Sequence, residues 1–147
     1  MRQQSVFVPL EDETIYYVWL GGSCDYNRKE RFGGAACTIE KTGVLKETLV
    51  LTGTHTTEFR MMLAMIKKVM SFLPESSNIC FLTNVAYLHN FDKPPFEGAA
   101  NSDLIEDCIK LKKRHINVVM QLIPFRKYPQ MAETHELARQ AMLEIRK

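Results

Sequence analysis

Apolar positions along the chain follow two rhythms, and the change from one to the other separates strands from helices. Thr14 to Leu20 (TIYYVWL) is dense in β-branched and aromatic residues and runs into Gly21-Gly22, the pattern of a strand covered on both faces that ends in a turn. Such a strand belongs in the middle of a sheet. Gly33 to Glu40 and Val44 to Thr52 flank Lys41-Thr42-Gly43, a short Gly-containing connection of the kind that closes a β-hairpin. Together these stretches predict a three-stranded antiparallel meander.

The period then changes. Phe59, Met62, Leu63, Ile66, Val69 and Met70 recur at helical spacing until Pro74, which predicts an amphipathic helix. Met61 and Met65 lie off that stripe, so the helix either supplies an adaptable methionine contact surface or is covered on several faces. Asn78 to Thr83 (NICFLT) predicts a short strand, followed at once by helix-like Asn84 to Asn90 with Val85, Leu88 and Phe91. Ser102 is placed to cap another helix, with Asp103 and Glu106 in its first turn and Lys110, Lys112, Lys113 and Arg114 in its last, as the macrodipole prefers. Ile116 to Ile123 predicts a strand, and Pro129 opens a last helix with Leu137, Ala138, Ala141, Met142 and Ile145 inward. The order β-β-β-α-β-α-α-β-α predicts an α/β fold: a mixed five-stranded sheet, three antiparallel strands and then parallel ones, flanked by helices that cross right-handed. No repeat or long linker interrupts it, and the one Pro/Gly-rich break is Lys93 to Gly98, so residues 1–147 are expected to form a single domain.

Composition narrows this further. With 147 residues, 46% of them hydrophobic and 24% charged, the chain can build one packed core. Nineteen Lys and Arg against seventeen Asp and Glu leave a charge of +2, too small for binding nucleic acid by bulk electrostatics, so any basic surface is local. No stretch approaches the ~18 consecutive apolar residues of a membrane span, and the N-terminus lacks a basic region followed by an apolar one. A cytoplasmic chain without a membrane partner is expected. Cys24, Cys37, Cys80 and Cys108 are far apart, with no C-x-x-C or zinc-like spacing, and are expected to be reduced thiols in or near the core.

Three motifs in order resemble the type 1 ribonuclease H family. Gly22-Ser23-Cys24, then Asn27 and Gly33-Gly34, is similar to the family's D-G-S-C-x-x-N-x-x-x-G-G opening. Thr83-Asn84 with Tyr87 resembles its T-D-S-x-Y segment, and His135-Glu136-Leu137-Ala138-Arg139 after Pro129 resembles its closing helix. The resemblance covers roughly Thr14 to Lys147. It implies a fold whose active members cut the RNA strand of an RNA/DNA hybrid with two divalent ions held by four carboxylates; ions about 4 Å apart repel, and several ionised carboxylates are needed to hold them.

Matched residue by residue, the first carboxylate falls on Gly21, the third on Asn84 and the fourth on His135. Register leaves the second at Glu58 or Arg60; Glu58 is preferred because Phe59 then takes the inward Leu position. The resemblance therefore implies a degenerate member, with no bound metal or other cofactor and a nucleic-acid-binding or scaffolding role. Asn27, Arg28, Lys29, Arg126 and Lys127 lie on loops that the family turns toward substrate, an RNA/DNA hybrid or duplex. The family's Gln after T-D-S is Ala86 here, and its catalytic-loop G-H falls at about Pro124-Phe125. Two other readings stay open: an active magnesium- or manganese-dependent nuclease with a displaced set in which Asp25 and Asp92 join Glu58, and a homo-oligomer or protein-interaction module. Residue by residue, ordinary structural roles compete with these. Asn84 suits a helix N-cap, His135 a satisfied helical histidine, and Glu58 the dipole at a helix start.

Overall fold

A computed structural model describes residues 14–41, 44–95 and 99–146. The strands are β1 (Ile15–Cys24), β2 (Gly33–Lys41), β3 (Val44–Gly53), β4 (Asn78–Thr83) and β5 (Asn117–Leu122). They form one sheet in the order β3-β2-β1-β4-β5, antiparallel from β3 through β1 and parallel from β1 through β5. β1 is central, as its apolar density predicts. The mixed α/β architecture expected from the sequence is the one observed.

Helices α1 (Glu58–Phe72) and α2 (Ser102–Lys112) cover one face, and α3 (Pro129–Arg146) lies over β1 and β2 on the other. Alternation along β1 feeds both. Val18 and Leu20 enter the core under α1, with Met62, Leu63, Ile66 and Phe81, whereas Tyr17 and Trp19 join Cys80, Leu82, Ile123 and Met131 on the opposite face. Met61, Met62, Met65 and Met70 are all buried, so the alternative of a methionine contact surface on α1 is corrected: β1, β2 and α2 cover that helix on several sides. Cys37, Cys80 and Cys108 are buried free thiols and Cys24 is half-buried. Among the described residues, no helix is long and apolar enough to cross a membrane.

Several local expectations change. β1 does not turn at Gly21-Gly22 but continues to Cys24, because Gly21 pairs with Ala36, Gly22 with Ala35 and Ser23 with Gly34. Residues after β4 form a 3-10 segment over Ala86–Asp92, not a helix opening at Asn84. Asn101, with a left-handed φ of 64°, precedes α2, so Ser102 is its first helical residue and not its cap. The inward stripe of α3 is Met131, Thr134, Ala138 and Met142, while Leu137 is exposed. Thr134 can be buried there because its hydroxyl donates to the Gln130 carbonyl one turn back. The connection at Thr42-Gly43 and the end of the Lys93 to Gly98 break, residues 96–98, lie outside the described residues.

Candidate functional site

Parallel strands β1, β4 and β5 point their C-terminal ends to one edge of the sheet, the edge at which open α/β folds place ligands. The segments after these strands carry Asn27, Arg28 and Lys29, then Asn84, then Arg126 and Lys127. The N-terminus of α1 reaches the same edge. Thr57 caps it, its hydroxyl accepting from the Arg60 backbone N–H at 3.1 Å, and sets Glu58 in the first turn. The Glu58 backbone N–H donates to Tyr26 Oη at 2.9 Å.

Gly21 and Gly22 present opposite sides of β1. A Cβ on Gly21 would lie 2.6 Å from the Thr134 carbonyl carbon and 2.7 Å from the His135 backbone nitrogen, so α3 rests directly on the strand there. A Cβ on Gly22 would meet the side chains of Met62 and Glu58, the latter at 2.9 Å from Cγ. The position that faces Glu58 is thus Gly22 and not Gly21, the residue singled out from the motif. Arg60, the other register for the second carboxylate, turns toward α2, where it pairs with Asp103 at 2.8 Å and donates to Asn101 Oδ1 at 3.1 Å. That guanidinium holds the Asp103 carboxyl down to about 2.

Asn84 and His135 meet. His135 Nε2 lies 3.0 Å from the Asn84 side-chain amide, its Nδ1 lies 3.3 Å from the Gly22 carbonyl oxygen, and the Phe125 ring packs on it with centroids 5.0 Å apart. Asn84 therefore does not cap a helix, since its amide is engaged across the edge with α3. Burial pushes the imidazole below its ordinary 6.5, partly opposed by the Gly22 carbonyl, which favours the neutral ring with one N–H. The Gly22 carbonyl oxygen and Asn84 Oδ1 both accept, so a ring with one N–H donates to one of them, from Nδ1 to Gly22 or from Nε2 to Asn84.

Glu58 has no cation partner among the described residues, and burial alone raises its carboxyl above the usual 4.5. The other two acids of the displaced set are committed elsewhere. Asp25 accepts from Arg146 at 2.6 Å, from the Asn27 backbone N–H at 2.9 Å, and has Arg28 at 3.9 Å. The Arg146 hydrogen bond is the main cause holding its carboxyl below the usual value. Asp92 pairs with Lys112 at 2.6 Å. Among the described residues, no three His, Cys, Asp or Glu side chains stand close enough to share an ion. A single carboxylate, an amide and a neutral imidazole do not fit a two-ion centre, which needs several ionised oxygen ligands.

Arg28, Lys29, Arg126 and Lys127 are exposed, and Asn27 is exposed beside them. Four residues of the edge were not singled out as site residues: Gly22, Tyr26, Phe125, and Tyr87, whose ring centroid lies 4.9 Å from that of Phe59. The readable signal for the tyrosines is their position two and four residues beyond the ends of β1 and β4.

No family model matches the chain. No curated protein matches it either. Among solved structures, the chain is similar to LC9-RNase H1, a type 1 RNase H with the type 2 active-site motif, at a TM-score of 0.75 and 18% identity over 90% of this chain and 74% of that one. The fold is ribonuclease H-like.

Proposed function

We propose that this chain is a ribonuclease H-like domain with a degenerate carboxylate set, which binds or scaffolds nucleic acid without cutting it. The observation that carries the reading is the bond between Asn84 and His135. Two carboxylates at those positions would repel one another and draw a cation between them. An amide and a neutral imidazole instead satisfy each other, and Glu58 is left as the acid of the set that has no cation partner among the described residues. The exposed cations Arg28, Lys29, Arg126 and Lys127, on loops at the same edge, support contact with phosphates. The displaced-carboxylate reading is not favoured, because Asp25 and Asp92 are already neutralised by Arg146 and Lys112.

A labelled RNA/DNA hybrid incubated with magnesium or manganese tests the reading. No product above the blank is expected, while fluorescence anisotropy should register binding that weakens with salt. Alanine at Arg28, Lys29, Arg126 and Lys127 together should lower affinity for every nucleic acid and reduce the salt slope by about one for each phosphate that is no longer neutralised. Cutting that disappears in Glu58→Ala would overturn the non-catalytic assignment, and an absence of binding to any nucleic acid would overturn the rest.

A further inference from the structure

The described residues include four exposed aromatic side chains, Tyr26, Phe72, Tyr87 and Phe125. Three of them stand at the site edge, one beyond each parallel strand: Tyr26 two residues after β1, Tyr87 four after β4 and Phe125 three after β5. Exposures of 59%, 53% and 37% leave ring surface open. Each ring is braced by the same small region. Tyr26 Oη holds the Glu58 backbone N–H, Tyr87 leans on Phe59, and Phe125 leans on His135. Glu58 and His135 both meet Gly22, so Tyr26 and Phe125 are braced from the two sides of one point on β1, while Tyr87 rests on Phe59, the residue after Glu58 in α1. Exposed Arg28 and Lys29 follow Tyr26 in its loop, and exposed Arg126 and Lys127 follow Phe125. Glu30 is exposed in the same loop, while Asp25 is neutralised by Arg146.

Open rings on the same edge as exposed cations match single strands better than duplexes. In a duplex the base faces are stacked on one another and only backbone and groove edges are offered. A single strand presents unstacked base faces, and stacking on an aromatic ring is tolerant of sequence. Building on the nucleic-acid reading above, we propose that the ligand is single-stranded RNA or DNA, with bases stacked on Tyr26, Tyr87 and Phe125 and phosphates met by the four cations.

Anisotropy titrations of the full chain with a fluorescent oligonucleotide single strand, an abasic strand of equal length, a DNA duplex and an RNA/DNA hybrid test this, with RNA and DNA strands run side by side to distinguish the two sources. The single strand should bind at least tenfold more tightly than the abasic strand or either duplex. Leucine at Tyr26, Tyr87 or Phe125 keeps apolar bulk and removes the ring; each such variant should weaken single-strand binding about tenfold with its salt slope unchanged. Tyr26→Phe, which keeps the ring, should bind as the native chain does. Circular dichroism of each variant establishes that it is folded. Equal or tighter binding of the hybrid overturns the single-strand proposal and leaves the broader nucleic-acid reading standing. Leucine variants that bind normally, or an abasic strand that competes equally, also overturn it. A chain that binds none of the four probes overturns both.

Discussion

Gly21→Ala is the substitution whose cost the geometry determines best. Its methyl would sit 2.6 Å from the Thr134 carbonyl carbon and 2.7 Å from both the Thr134 oxygen and the His135 nitrogen, about 1 Å inside the usual carbon–carbon contact of roughly 3.5–4.0 Å. Those atoms are helix backbone and have no rotamer to change, so α3 must lift from β1. Overpacking of this kind costs about 1–3 kcal/mol, and lifting α3 also stretches the His135 hydrogen bond, about 1 kcal/mol. The expected loss is about 2–4 kcal/mol. For a domain of this size that is a fall of about 4–16 °C in Tm. Gly22→Ala is the control: its methyl meets the Met62 and Glu58 side chains at 2.7 and 2.9 Å, and side chains can re-orient, so less than half that loss is expected. Urea unfolding followed by circular dichroism measures both. A Gly21→Ala protein within 1 kcal/mol of the native one, or a Gly22→Ala protein that is the less stable of the two, refutes the argument that α3 is seated on bare backbone.

Three further outcomes follow from the charges at this edge. Glu58→Gln should raise Tm at pH 7, because burial lifts the native carboxyl above 4.5 and ionising it costs stability as the pH rises through that value; the gain should vanish below about pH 4.5, and a less stable variant at pH 7 contradicts it. His135 is held below 6.5 when folded, so its contribution is complete above that pH and is lost as acid protonates the unfolded chain first. The slope of stability against pH just below 6.5 should therefore be shallower in His135→Gln, and unchanged slopes would count against a buried neutral imidazole. Arg146→Gln should lower Tm at pH 7 by a margin that shrinks below pH 3.8, since the Arg146 hydrogen bond is the first cause of the lowered Asp25 carboxyl; a margin constant down to strong acid would show that the stability comes from something other than the ion pair.

The layered fold was readable because period and composition are properties of single segments. TIYYVWL announces a central strand, and the stripe from Phe59 to Met70 announces α1. What escaped depends on partners distant in sequence. Gly21-Gly22 resembles a turn locally, yet Ala35 and Ala36 on β2 extend the ladder through it. Asn84 looks like a cap until a histidine 51 residues away engages its amide. Leu137 looks more buriable than Thr134, but the missing side chain of Gly21 decides which face of α3 sits down. At the site, residue types announced that acids were absent; which glycine faces Glu58, and that Asp25 and Asp92 are already paired, required the third dimension.

The Asp25–Arg146 ion pair joins the loop after β1 to the last turn of α3. The same loop is closed by the Asp25 N–H donating to the Phe32 carbonyl at 2.8 Å and by the His55 N–H donating to the Glu30 carbonyl. Tyr26, Asn27, Arg28 and Lys29 are therefore held at both ends of their segment before any ligand arrives. Ordering a free loop at the moment of association would subtract from affinity, by about 0.5–1.5 kcal/mol for each rotamer-rich side chain immobilised. Here much of the backbone part of that cost has been met during folding. On the proposed nucleic-acid reading, preorganisation of this kind makes the C-terminal helix a remote determinant of affinity: shortening α3 by its final turn would remove no residue proposed to face the ligand and should still weaken binding, through a loop that has lost one of its ties.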